Sequence, residues 1–164
     1  MLEEKEQPFQ LDRVSIRLVK DAPLYSEKPM SNPMLVVEAL GKELCEMDRE
    51  VMYVINVKTN SVPINCSVVS IGTLNSSLVE PRELFKSSIL SNAAAIILLH
   101  NHPSGSVTPS PADIKVTRKI EQALDLLEIK LSDHIIVGSQ GKTFSFLGQG
   151  IIGQSIYEEG VAEA

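Results

Sequence analysis

Tryptophan is absent from the 164 residues, and aromatic side chains make up only 4% of them. The core must therefore be built from aliphatic residues. Cysteine is scarce as well, with Cys45 and Cys66 alone. Two thiols with no C-x-x-C spacing form no disulfide framework, and they read as reduced, partly buried groups. No apolar run approaches the roughly 20 residues that a membrane span needs. Met1 to Gln7 is acidic and polar, without the basic start and apolar stretch of a secretory leader, so a cytoplasmic location is expected. Basic residues are in deficit, 15 Lys and Arg against 21 Asp and Glu, for a net charge of -6. That balance argues against a broad electrostatic footprint on nucleic acid. Internal repeats and low-complexity tracts are absent.

What remains is a chain of one-domain length. Hydrophobic residues are 43% of it and charged residues 22%, a mix that builds a core and does not leave the chain disordered. Val14 to Leu18 alternates apolar and polar residues, the period of a half-buried strand. Asp21 to Ser31 reads as a connector. Asn32-Pro33 opens a helix whose apolar face is Leu35, Val36, Leu40, Leu44 and Met47. Val51 to Val57 reads as a central strand, Lys58 to Pro63 as a polar turn, and Val68 to Gly72 as a second strand. Pro81 opens a further helix, with Glu83 in its first turn. Ala93 to Leu99 is the most apolar strand, and His100 to Pro109 a loop rich in Pro, Ser and Gly. Ser110 caps a helix running to Leu127, with Ile114, Ile120, Leu124 and Leu127 on one face. Ile135 to Val137 and Thr143 to Phe146 are the last strands. Alternating strands and helices indicate an α/β class, and the short connections indicate a mixed sheet. Residues 1–31 read as a tail and leading strand, 32–150 as the domain, and 151–164 as an acidic tail.

The chemistry concentrates in Leu99 to Asp113. His100 and His102 stand two apart at the end of a buried strand. Side chains at i and i+2 of an extended chain project to one face, so both imidazoles can converge on one point. Asp113 lies in the first turn of the next helix, where a returning loop can bring its carboxylate back to them. Two imidazoles and a carboxylate are the donor set of a catalytic zinc site that keeps one position open. Each residue also has a plainer reading. Ser110-x-x-Asp113 is a capping pair, the histidines are turn residues, and Asp48, Arg49 and Glu50 are a solvated charged turn. His134 reads best as a residue holding the helix-to-strand turn, with a place beside the metal as the alternative. Arg82 reads as a surface or capping residue rather than a carboxylate binder.

Taken together, H-x-H-x7-S-x2-D with a Glu before an upstream apolar strand resembles the JAB/MPN metalloprotease superfamily and its JAMM motif. The longer text H-N-H-P-S-G…P-S-P-A-D, with D-H-I-I-V-G and a later S-F, resembles the RadC branch. The resemblance covers Asn32 to about Gly148. It implies an α-β-α sandwich with a mixed, curved, cytidine-deaminase-like sheet. It also implies Zn²⁺ on His100, His102 and Asp113, Glu50 as the base that activates water, and Ser110 as a donor to the developing oxyanion. The chain departs from the RadC pattern at Glu80-Pro81-Arg82, where His-Pro-Arg is usual, and at Leu147, where Glu usually follows Ser-Phe. The residues ahead of the domain do not read as the usual helix-hairpin-helix region.

These features frame the expected function as zinc-dependent cleavage of a peptide or isopeptide bond in an unidentified protein substrate. The alternative is a metal-stabilised interaction module tied to DNA repair or recombination, with little catalysis. A zinc deaminase would need H-x-E and P-C-x-x-C ligands, which Cys45 and Cys66 do not supply.

Overall fold

The computed structural model describes residues 28–72 and 80–153, together with residues 15, 18 and 19. Most of the expected leading strand Val14–Leu18, most of the connector after it and the tail beyond residue 153 lie outside the described residues.

Five strands form one sheet in the order β2-β1-β3-β4-β5. They are β1 (Val51–Val57), β2 (Pro63–Ile71), β3 (Ala95–Asn101), β4 (Lys130–Val137) and β5 (Thr143–Ser145). β3 and β4 are parallel, and the other neighbours are antiparallel. Helix α4 (Pro111–Leu126) makes the crossover that a parallel pair requires. Every residue of β1 and β3 is buried. This explains why VMYVINV and AIILLHN carry no polar alternation, since both faces of these strands are covered.

One face packs Met52, Val54, Ile96, Leu98 and Ile136 against Leu84 and Phe85 of α3 (Pro81–Leu90) and Ile120 and Leu124 of α4. The other packs Ile55, Ile97, Leu99 and Ile135 against Val36, Leu40 and Leu44. Those three residues lie on α1 (Pro33–Val36), a π-helical stretch (Val37–Gly41) and α2 (Lys42–Cys45). Asn32 caps α1 by accepting the Leu35 N–H at 3.1 Å. The architecture is therefore α-β-α about a mixed sheet, as expected. Each fully buried aliphatic side chain contributes about 1.5–3 kcal/mol. β3, buried throughout, is thus a rigid platform for what stands at its end.

Two strands start earlier than the hydrophobic pattern indicates. β2 begins at Pro63, because its first half packs through polar groups. Asn65 accepts from Asn56 at 2.7 Å and donates to Ser91 at 2.8 Å. β4 begins at Lys130, because the buried Asp133 and His134 break the apolar run without breaking the strand. β3 extends through His100 to Asn101, so the first histidine belongs to the sheet and not to the loop.

Candidate metal centre

His100 is fully buried at the end of β3, and the His102 side chain is 11% exposed just beyond it. Their Nε2 atoms lie 3.1 Å apart. Asp113 is the third residue of α4 and forms a capping box with Ser110. The Asp113 carboxylate accepts the Ser110 N–H at 2.6 Å through Oδ2, and the Ser110 hydroxyl accepts the Asp113 N–H at 3.2 Å. The same carboxylate reaches the histidines. Oδ1 lies 3.5 Å from His100 Nε2, and Oδ2 lies 3.4 Å from His102 Nε2. Asp113 is buried, and its Oδ1 has no hydrogen-bond partner.

Hydrogen bonding on the far side of His102 fixes its proton. Nδ1 lies 3.0 Å from the Ser106 carbonyl, which can only accept, so Nδ1 carries the hydrogen. With its hydrogen on Nδ1, the neutral form of His102 presents a bare Nε2. Burial, opposed in part by the Asp113 charge, pushes the His100 pKa down to about 4. His100 is neutral at pH 7. With no hydrogen on either Nε2, these nitrogens and an orphaned carboxylate oxygen converge with only electron pairs to offer one another, an arrangement a cation completes. Tetrahedral bonds of about 2.0–2.2 Å place ligand atoms about 3.3–3.6 Å apart; the two Nε2 atoms and the carboxylate oxygen nearest each imidazole come close to that scale, and one ligand atom from each residue lies within 4.8 Å of the others. His100, His102 and Asp113 therefore form a group that could hold a divalent metal.

His102 and Asp113 line a cleft of ≈ 560 Å³ together with Arg49, Glu50, Ser104 and Ser110, and the fully buried His100 stands against them. Strand pairing brings Glu50 there. Met52 stands opposite His100 in the antiparallel β1–β3 pair, and continuing the register by two residues sets Glu50 across from His102. Asn101 locks this alignment. Its Oδ1 accepts the Val51 N–H at 2.8 Å, and its Nδ2 donates to the Arg49 carbonyl at 3.1 Å, on either side of Glu50. The expected residues His100, His102, Asp113, Glu50 and Ser110 thus meet in one place. Arg82 is exposed on the first turn of α3 and does not line the cleft. Cys45 and Cys66 are free thiols.

His134 does not hold the helix-to-strand turn. It lies within β4, fully buried, with Nε2 at 2.8 Å from His100 Nδ1. Burial first, and the neighbouring imidazoles after it, push its pKa well below the ordinary histidine value. Phe146 stacks on it at 4.6 Å between ring centroids. The Asp133 carboxylate accepts the Ser145 hydroxyl at 2.6 Å and the Leu147 N–H at 3.0 Å. The separate strings D-H and S-F therefore form one unit behind the metal-binding face. Asn101, Ser106 and Thr117 were not anticipated as parts of the site. One signal pointed that way: Thr117 is a polar residue four positions after Asp113 on an otherwise apolar helix stripe.

Comparison with known proteins agrees with this geometry. The family model described as RadC-like JAB domain matches residues 30–151. A UPF0758 protein of Pelodictyon phaeoclathratiforme is 44% identical over 117 residues, 71% of this chain and 52% of the relative. One from Desulfitobacterium hafniense is 44% identical over 123 residues, 74% of this chain and 53% of the relative. One from Desulforudis audaxviator is 48% identical over 104 residues, 62% of this chain and 45% of the relative. The chain thus spans about half the length of the curated relatives it matches. No helix among the described residues is long and apolar enough to cross a membrane. With a matched segment that runs from the entry of α1 to the end of the described core, and with its H-x-H and Ser-x-x-Asp residues gathered about one point, the chain belongs to the RadC-like JAB domain family.

Proposed function

We propose that this chain is a zinc-dependent hydrolase of the JAMM type acting on a peptide or isopeptide bond, with His100, His102 and Asp113 as the metal ligands. The observation that carries the proposal is the convergence of His100, His102 and Asp113, whose ligand atoms all lie within 4.8 Å of one another, beside a cleft that His102, Asp113, Glu50 and Ser110 line. A bound zinc ion supplies two things, acidification of a water to a pKa near 7 and polarisation of a carbonyl.

The chain's own residues do the rest. The Glu50 carboxylate takes a proton from the attacking water and returns it to the leaving amine. General acid–base catalysis of this kind contributes about 10²–10⁴-fold. Asn101 holds Glu50 by bonding the backbone on both sides of it. The Ser110 oxygen accepts the Asp113 N–H, which leaves the hydroxyl proton to donate to the oxygen of the attacked carbonyl. One such donor lowers the barrier by about 2.7–4 kcal/mol.

The test compares zinc-loaded wild type and Glu50→Gln on a panel of peptide and isopeptide substrates, with zinc content measured for both and for His102→Ala. The expected result is zinc retained in Glu50→Gln with turnover down at least about 10²-fold, and zinc lost from His102→Ala. Equal turnover by wild type and Glu50→Gln removes Glu50 from the mechanism. Full zinc content in His102→Ala overturns the ligand assignment. Bound zinc with no turnover by either protein favours the metal-stabilised module instead.

A further inference from the structure

The site contains a third imidazole that holds no place among the ligands, and a buried hydroxyl behind it. Thr117 Oγ1 lies 2.5 Å from the Asp113 carbonyl and 2.6 Å from His134 Nδ1, and His134 Nε2 lies 2.8 Å from His100 Nδ1. Thr117, His134 and His100 are all fully buried, so their partners are one another, the Asp113 carbonyl at one end, and His102 Nε2 and the Asp113 carboxylate at the other. Such a chain admits few proton arrangements, and each can be followed to its end.

The Asp113 carbonyl accepts and cannot donate. A contact of 2.5 Å between it and Thr117 Oγ1 therefore calls for the threonine proton. With that proton committed, Thr117 Oγ1 can only accept from His134, so His134 Nδ1 bears a hydrogen. Neutral His134 is then bare at Nε2 and must accept from His100, which places the His100 proton on Nδ1. His100 Nε2 is left bare, toward Asp113 and His102. The reverse arrangement runs the other way along the chain. Thr117 would donate to His134, His134 to His100, and the His100 proton would sit on Nε2, in the place of a metal. It would also leave two oxygens 2.5 Å apart with no hydrogen between them.

We infer that Thr117 is a positioning residue for the metal site: acting through His134, it sets the tautomer of His100 and so keeps Nε2 available as a ligand. The inference deepens the proposed function, because it rests on His100 being a ligand. The helix that delivers Asp113 then does a second task one turn later. Through Thr117 and His134 the same helix dictates which nitrogen of His100 faces the Asp113 carboxylate.

The experiment uses metal-free protein in EDTA and long-range ¹⁵N–¹H correlation of the imidazoles, with zinc affinity measured by chelator competition on the same samples. The variants are Thr117→Val, which keeps the shape and removes the oxygen, and Thr117→Ser, which keeps the hydroxyl. In wild type the expected protons are on Nδ1 of His100 and Nδ1 of His134. In Thr117→Val the His134 Nδ1–H has no acceptor, so both protons move to Nε2 and zinc affinity falls about 10–100-fold. Thr117→Ser retains the wild-type tautomers and affinity. A wild-type His100 protonated on Nε2 overturns the inference, as does Thr117→Val with unchanged tautomers or with unchanged affinity. Should Thr117→Val fail to fold, the wild-type spectrum decides alone. Failure of wild type to bind zinc at all sinks the ligand reading, while the tautomers of the metal-free protein still report on Thr117.

Discussion

Replacing Asp113 by Asn should make the metal-free protein more stable while abolishing its response to zinc. Without a cation, Oδ1 of a buried carboxylate faces the His100 Nε2 and has no hydrogen-bond partner. An unsatisfied buried polar group costs about 1–3 kcal/mol, more when charged. The asparagine amide turns this around. Its oxygen still accepts the Ser110 N–H, and its NH₂ donates toward the imidazoles. One favourable term is lost, since a negative charge in the first turn of a helix contributes about 0.3–1 kcal/mol. The difference leaves a net gain on the order of 1–2 kcal/mol. For a chain of this size that corresponds to roughly 2–8 °C in Tm. Adding zinc at about 100 times its Kd stabilises wild type by about 2.7 kcal/mol and the variant not at all, so the order of stabilities reverses. Urea titration of both proteins, in EDTA and then with zinc, reads both signs. An Asp113→Asn protein less stable than wild type in EDTA would refute the account of the orphaned oxygen. Equal stabilisation of both proteins by zinc would refute Asp113 as a ligand.

Three further outcomes follow from contacts around the site. Asn101→Ala leaves the Val51 N–H and the Arg49 carbonyl without partners; it should cost about 2–4 kcal/mol, speed amide exchange at Val51 and change zinc affinity only slightly. Gly138→Ala places a Cβ 2.4 Å from the Gly105 carbonyl oxygen and 2.7 Å from Val107. The loop carrying Ser106 must then move off His102, and zinc affinity measured by chelator competition should fall tenfold or more, although residue 138 touches no ligand. In EDTA, stability should fall as the solution is acidified. Burial holds His100 at about 4 against an ordinary 6.5, and His134 well below that value, so the unfolded chain binds more protons than the folded one between those limits. Stability is then complete above about pH 6.5 and is lost as pH falls toward 4, with His100 contributing on the order of 3 kcal/mol. A flat urea midpoint from pH 7 to 5 would contradict this.

How far the sequence reveals this site depends on the range of the interaction. The strand under His100 is legible because an aliphatic run buried on both faces leaves a local signature, and the i, i+2 spacing then places both histidines on one side. Glu50 is a different matter. It stands across from His102 only because β1 and β3 pair in one particular register, a contact between segments about fifty residues apart that no local pattern encodes. The polar half of β2 and the first half of β4 were missed for a related reason. Asn65 and Ser67, half-buried, and Asp133 and His134, buried, are hydrogen-bonded to partners elsewhere in the chain, and a reading based on apolar periodicity treats them as solvent-facing.

Asp113 shows why the capping and ligand readings never competed. A capping box needs an acceptor at the third helical position, turned back toward the N-cap backbone. A carboxylate held this way has one oxygen committed to the Ser110 N–H, so the orientation of the group is set before any ion arrives. The second oxygen is then fixed in space 3.5 Å from His100 Nε2, while the first also lies 3.4 Å from His102 Nε2, and both imidazoles are already held by β3, Ser106 and His134. A ligand carried on a flexible loop would have to be ordered at the moment of binding, at about 1–2 kcal/mol for each backbone residue fixed. Starting the helix where the carboxylate is needed moves that cost into folding. The Ser-x-x-Asp pair is a helix signal because it is a positioning device, and the same geometry that begins α4 aims the third ligand.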